Sequence, residues 1–340
     1  MCNISSESFF RINQDNSRQF TLNRSSSFFF SRKMINLTFA IIVAAVIGGI
    51  IFSTNSISSV TAQKVIKKWS VNDPGGIVID PKGNVYVVET GKDRILEFTA
   101  NGTLIRAWGS GGYGNGQFNS PMGITLDYAR GYVYVTDTGN NRIQKFTSNG
   151  TFIAKWGSPG SGPGQFQTPI GVDEDDPKQN VYVTDIGNNR VQRFTSNGLF
   201  VTQWGSLGSR EGQFANPGRI AVDNSGDLFV ADFGNNRIQK FDGNGKFIMQ
   251  WGSLGHGNGQ FYNPTGMTVQ ESQGNVYVAD TGNSRIQEFT NDGKFINKWP
   301  INTATGAIDN IDLDVNSKGT IYVTDRAGNS IQVISPVPGT

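Results

Sequence analysis

The chain has 340 residues, 36% of them hydrophobic and 16% charged, enough apolar content for one large or two ordinary folded domains and too much for disorder throughout. Glycine is abundant at 43 residues but follows no three-residue period, which excludes a collagen-type helix and points to a fold with many turns. A net charge of +2 argues against a nucleic-acid partner, while one cysteine (Cys2) and one histidine (His256) exclude an internal disulfide and leave little for zinc.

Residues 1–33 are rich in Ser, Asn and Phe and read as a polar, disordered tail. The uncharged run "MINLTFAIIVAAVIGGIIF" at 34–52 is just long enough to span a bilayer. Arg32 and Lys33 at its start favour a single-pass anchor with a cytoplasmic N-terminus and everything after it outside the cell. The alternative is a cleaved secretory signal, for which Val60, Thr61 and Ala62 offer small residues before a cut; the protein would then be secreted. Residues 53–63 read as a linker, and 336–340 as a C-terminal tail.

From 64 to 335 one phrase returns: "ETGKDRILEF" (89–98), "DTGNNRIQKF" (137–146), "DIGNNRVQRF" (185–194), "DFGNNRIQKF" (232–241), "DTGNSRIQEF" (280–289) and the decayed "DRAGNSIQVI" (325–334). A period of about 47 residues is the mark of a repeat architecture. A β-rich run precedes each phrase. After it come an Asn-Gly or Asp-Gly turn and a run ending in Trp, then a glycine-rich loop and Pro-x-Gly lead into a fourth run. Four short strands per unit cannot bury both faces alone, whereas six units arranged radially can. Trp-ended runs close at Trp69, Trp108, Trp156, Trp204, Trp251 and Trp299, and the first stands before any complete copy. The expected fold is therefore all-β, a six-bladed propeller of four-stranded antiparallel blades closed by pairing of the N-terminal strand with the last blade.

Within the phrase, Asp137 and Arg142 are placed to pair across the turn, as are Asp185 and Arg190, Asp232 and Arg237, and Asp280 and Arg285. Gly139 is expected to supply a costly backbone conformation, and Asn140 and Asn141 to bond their own turn. The pattern D-x-G-N-x-R-I/V-x-x-F, with its upstream P-x-G-I/V and downstream Trp-Gly, resembles the NHL repeat family. The resemblance implies a six-bladed β-propeller. It leaves function open, because such propellers include protein-binding scaffolds, RNA-binding domains and a peptide-amidating lyase with a histidine-liganded metal.

Function is expected where one copy departs from its siblings. By resemblance to propellers generally, the first strand of each blade should line the central channel; in register these strands read "GIVID" (76–80), "GITLD" (123–127), "GVDED" (171–175), "RIAVD" (219–223), "GMTVQ" (266–270) and "DLDVN" (312–316). Glu174 replaces an aliphatic residue, and Arg219 and Asp312 replace glycine. With Asp173 they form a candidate channel-mouth cluster that would hold a cation, with calcium the metal considered, or a small polar ligand, or supply acid and base groups. In the loops between blades, Phe118, Phe166, Phe214 and Phe261 recur as anchors, while Tyr113, Arg210, Glu211, His256 and Tyr262 vary and would decorate one face. The Gly-x-Gly runs are not phosphate loops, since no helix follows.

The leading expectation is an extracytoplasmic, membrane-tethered binding or scaffolding propeller that recognises a cell-envelope or extracellular protein, peptide or glycan. The alternative is a carboxylate-metal-dependent hydrolase or lyase at the propeller axis. One histidine and no propeller cysteine exclude a catalytic triad, and no nucleic-acid partner is expected. Asn101 and Asn149, each followed by Gly-Thr, match glycosylation acceptors, although the Asn-Gly turn itself accounts for them.

Overall fold

The computed structural model describes residues 65–301 and 311–335. The tail, anchor and linker expected before residue 64 and the tail at 336–340 lie outside the described residues. Among the described residues no helix is long and apolar enough to cross a membrane.

The described chain forms six four-stranded antiparallel sheets, the blades of a propeller. Their innermost strands are Pro74–Ile79 in blade 1, Ile124–Asp127 in blade 2, Pro169–Asp175 in blade 3, Pro217–Val222 in blade 4, Pro264–Gln270 in blade 5 and Leu313–Val315 in blade 6. Blade 6 is completed by the strand Val65–Ser70, which pairs antiparallel with Ser330–Ile334 and sets Trp69 opposite Ile331. The apolar core is divided among the seams between blades. One such cluster joins Val78, Val88 and Ile95 of blade 1 to Phe118, Ile124 and Phe146 of blade 2. A single blade thus supplies half of each of two cores, which is why the sequence repeats.

The Trp that ends an outer strand packs under the hairpin turn of the following blade. A Cβ at Gly150 would strike the ring of Trp108, one at Gly198 the ring of Trp156, and one at Gly102 the ring of Trp69. These turn glycines have positive φ, so both the turn and the Trp seat require glycine. Among the described residues no turn glycine receives Trp299, the outer strand of blade 6 being Val65–Ser70; Trp299 stacks on Tyr277 of its own blade at 24°.

The repeated phrase forms a brace around a single 3-10 turn, Thr138–Asn140 in blade 2, rather than a plain turn. Asp137 is buried and accepts from the main-chain N–H of Asn119 (2.8 Å), Asn140 Nδ2 (2.9 Å), Arg142 Nε (2.6 Å) and Gln144 Nε2 (3.0 Å). Arg142 donates onward to the carbonyls of Tyr113, Gly114 and Gln117 and so holds the long interblade loop. Two expectations for this turn are corrected. Gly139 is needed for close approach, since a Cβ there would lie 2.7 Å from the carbonyl oxygen of Asn119; the left-handed residue is Asn141, at φ 52°. Asn140 bonds its own turn, but Asn141 Oδ1 accepts from Thr168 N of the next blade (2.8 Å). Asn189 and Asn236 make the same latch to Asn216 and Asn263, and Asn329 makes it to Asp73 across the closure. In the decayed sixth copy, where Ser330 replaces Arg, Lys68 of the closing strand brings its ammonium to 3.8 Å from Asp325.

Candidate functional site

The innermost strands run from the interblade loops toward the short turns at the other end of the blades, and their side chains set successive levels along the axis. At the first level stand Gly76, Gly123, Gly171, Arg219, Gly266 and Asp312. Arg219 fills the space the glycines leave. Its Nη1 donates to the Ile170 carbonyl and its Nη2 to the Met122 carbonyl, both at 3.0 Å, and its Nε lies 3.3 Å from Asp312 Oδ2. Asp312 also accepts from Ile77 N at 3.3 Å. Both side chains are buried, and together they tie five blades at the axis. Burial pushes the Asp312 carboxyl up, and the Arg219 charge opposes that shift.

Two levels further on, the positions read Val78, Thr125, Asp173, Ala221, Thr268 and Asp314. Asp173 and Asp314 belong to blades 3 and 6, on opposite sides of the ring, and their surroundings match. Asp173 accepts from Thr125 Oγ1 of the preceding blade (2.7 Å) and Val222 N of the following one (2.8 Å). Asp314 accepts from Thr268 Oγ1 (2.8 Å) and Ile79 N (2.7 Å). Burial pushes Asp173 up to about 6 and Asp314 up to about 7, against these donors. Both line an axial cavity of about 600 Å³ with Arg219 and Asp312 as its floor and turn residues such as Lys82, Glu271 and Lys318 at its rim. The cavity is a funnel open at the end where the innermost strands finish.

Glu174 points to a different neighbourhood from the one expected for it. It lines the funnel, but its carboxylate gathers with Asp127 and Asp176, the three offering ligand oxygens within 4.8 Å of one another. Arg130 Nη1 lies 3.3 Å from Asp127 Oδ2 and 2.7 Å from Asp176 Oδ1. Burial, followed by repulsion from Asp173, Asp176 and Asp127, pushes Glu174 up to about 9. An all-oxygen set with one guanidinium against three carboxylates could coordinate a hard divalent cation, with Arg130 as the competing charge.

Of the four residues singled out from sequence, Arg219 and Asp312 meet at the floor, Asp173 stands on the wall, and Glu174 sits near the rim without touching Arg219. Asp314 and Tyr128 were not among the residues that stood out in the sequence. Asp314 occupies a position where Val, Thr, Asp, Ala and Thr stand in the other blades, so there was no consensus for it to break. Its signal was its match with Asp173 three blades away. Tyr128 is the one aromatic residue lining the funnel among the described residues, and its hydroxyl donates to the Ile79 carbonyl at 2.7 Å.

The five loop residues lie at the opposite end of the propeller. Tyr113 is 77% exposed, and its carbonyl accepts from Arg142. Arg210 donates from its Nε to Gln213 Oε1, and Glu211 beside it is exposed. His256 Nδ1 lies 2.5 Å from Asn283 Oδ1, and its ring meets Tyr262 edge-on with centroids 6.4 Å apart. The four loop phenylalanines are fully buried.

The NHL repeat profile matches residues 118–146, 214–241 and 261–289. The chain carries NHL repeats. No curated protein sequence matches the chain significantly. Among solved structures, this NHL propeller is similar to virginiamycin B lyase from Staphylococcus aureus, at 16% identity and a TM-score of 0.55 over 80% of this chain and 99% of that one. It is similar to a streptogramin B lyase at 15% identity and a TM-score of 0.56 over 79% and 97%. Kuenenia stuttgartiensis hydrazine synthase matches at 10% identity and a TM-score of 0.56 over 81% and 98%. At these identities the NHL propeller shares a fold with enzymes, and only a fold. A catalytically inactive variant of the staphylococcal lyase has alanine in place of a histidine. The NHL propeller has one histidine, His256, and it is at the end away from the funnel.

Proposed function

We propose that the protein is a bond-cleaving enzyme, a lyase or hydrolase acting on a small polar substrate, with its site in the axial funnel. The observation that carries this reading is the pairing of Asp173 and Asp314 on opposite walls of a cavity that Arg219 and Asp312 also line. Each carboxylate is oriented by a Thr hydroxyl and a main-chain N–H from adjacent blades, so neither must be reorganised when substrate arrives. Asp173, with its carboxyl pushed up to about 6, is the more ionised of the two near neutrality and would take a proton from substrate or water. Asp314 across the cavity, with its carboxyl pushed up to about 7, keeps its proton longer and would give it to the leaving group. Asp127, Glu174 and Asp176 would hold a divalent cation, calcium among the candidates, where it would supply charge stabilisation when bound. The likeness to lyase propellers supports the reading at the level of fold alone.

The test is turnover of a panel of lactones, esters and β-elimination substrates by the full chain, with calcium and with chelator. Asp314→Asn is expected to lower kcat by about 100-fold or more, in the range typical of a lost general acid or base. Unchanged turnover in that variant, or none with any substrate class, overturns the proposal.

A second reading rests on the other end of the propeller. Tyr113, Leu207 and Leu254 are 77%, 71% and 64% exposed there, on loops held by the Arg braces. Rigid loops bearing apolar tips suit recognition of an extracellular or cell-envelope protein, peptide or glycan. In this reading the propeller is tethered outside the cell through residues 34–52, or secreted. Pull-down of a saturable partner that Tyr113→Ser and Leu207→Ser release, with funnel variants leaving it bound, favours this role.

A further inference from the structure

The funnel's charge and shape say what kind of molecule it admits. Its walls bear Asp173, Glu174 and Asp314, with Glu271 at the edge. Among the described residues none of these four is in an ion pair with a Lys or Arg. The cations that also line the cavity are otherwise placed. Arg219 is bound to Asp312 and two carbonyls on the floor, while Lys82 and Lys318 are exposed at the rim. The interior therefore presents Asp173 and Asp314 without a Lys or Arg partner among the described residues, and low dielectric there strengthens the attraction for a positive guest.

Two further features narrow the guest. Tyr128 adds an aromatic ring to the wall, with its hydroxyl anchored on Ile79 and the carboxylates of Asp314, Glu271, Asp173 and Glu174 all within electrostatic reach of it. An aromatic face beside carboxylates favours an organic ammonium group over an inorganic cation alone. The second feature is the approximate two-fold relation of the walls. Thr125, Asp173 and Val222 N on one side repeat as Thr268, Asp314 and Ile79 N three blades away. Each carboxylate spends part of its accepting capacity on its own Thr and main-chain donor and keeps the rest for a ligand. Like groups facing each other across a cavity suit a ligand with like charges at its two ends.

We propose that the axial funnel recognises an aliphatic polyamine or a molecule presenting a diamine. This rests on the reading of the funnel as the substrate site and names its substrate class.

The experiment is isothermal titration of the full chain at low ionic strength with spermidine, and with glutarate as a dianion of comparable reach. Spermidine is expected to bind saturably, glutarate not at all, and Asp314→Asn and Tyr128→Leu to weaken spermidine by at least about 10-fold each, as loss of a charge pair and of a cation–π contact would. Thermal melts establish that each variant is folded, and Tyr128→Leu serves if Asp314→Asn is not. Absence of saturable spermidine binding, equal binding of glutarate, or binding that neither variant weakens overturns the proposal. Spermidine binding without turnover of any amine supports the inference and counts against the enzymatic reading. Turnover of a neutral substrate that depends on Asp314, with no spermidine binding, does the reverse.

Discussion

Arg219 stands where four other blades have glycine, and its worth is set by Asp312. Both are buried, so Arg219→Ala leaves a carboxylate without its counter-charge on the axis. The expected loss is about 3–5 kcal/mol in chemical denaturation, and Arg219→Met combined with Asp312→Leu is expected to recover most of it, because an apolar pair leaves no stranded charge. Asp314 makes a prediction of opposite character. Its folded carboxyl is raised to about 7 from an ordinary value near 4, so between those values the folded state binds more protons than the unfolded one. Its contribution to stability is therefore fully present below about pH 4 and is lost as pH rises through about 7. A series of urea midpoints should show Asp314→Asn flattening that decline. At this scale the sequence was legible where a repeat supplied a consensus. Arg219 and Asp312 declared themselves against glycine, whereas Asp314, at a position with no consensus, could be recognised only once the ring set it opposite Asp173.

At the scale of the strand and turn, almost everything was legible, because each blade repeats the same solution and the repeats average out local noise. The Asp–Arg spacing, the loop phenylalanines and the Trp at the outer strand all appeared in the roles their chemistry suggested. The misreading at Gly139 is instructive. Glycine satisfies two different demands, positive φ and close approach, and spacing alone does not say which applies; the contact with Asn119 decides it. Two outcomes follow. Trp156→Ala should cost about 3 kcal/mol by emptying the seat beneath Gly198, read from the thermal midpoint. Asp232→Ala should be at least as damaging, since it strands Arg237 and releases Asn235, Gln239 and Ala215 N together. Neither residue lines the funnel, so in each folded variant spermidine affinity should be unchanged.

For the whole molecule the decisive join is between Val65–Ser70 and Ser330–Ile334. Deleting 64–70 is expected to unfold the propeller or turn it into a self-associating species, visible by light scattering, because it exposes the edge of the last blade, removes the Trp69 seat at Gly102 and takes Lys68 from Asp325. That six units would close was legible from counting strands. That Arg219, Asp312 and Asp173 would stand at its axis was legible as well, whereas the cavity's shape and the facing of Asp173 by Asp314 were not, since a cavity belongs to no one repeat and arises only from the meeting of all six. The same join carries a consequence for biosynthesis. A ribosome makes one strand of blade 6 before blade 1 and the other three after blade 5, so a nascent chain can stack its early blades as they emerge but must wait, with one flank unsealed, until Ser330–Ile334 clears the exit tunnel. Chaperone dependence should then be concentrated in that interval, and a circular permutant that restores all four strands of blade 6 to continuous sequence should shorten it.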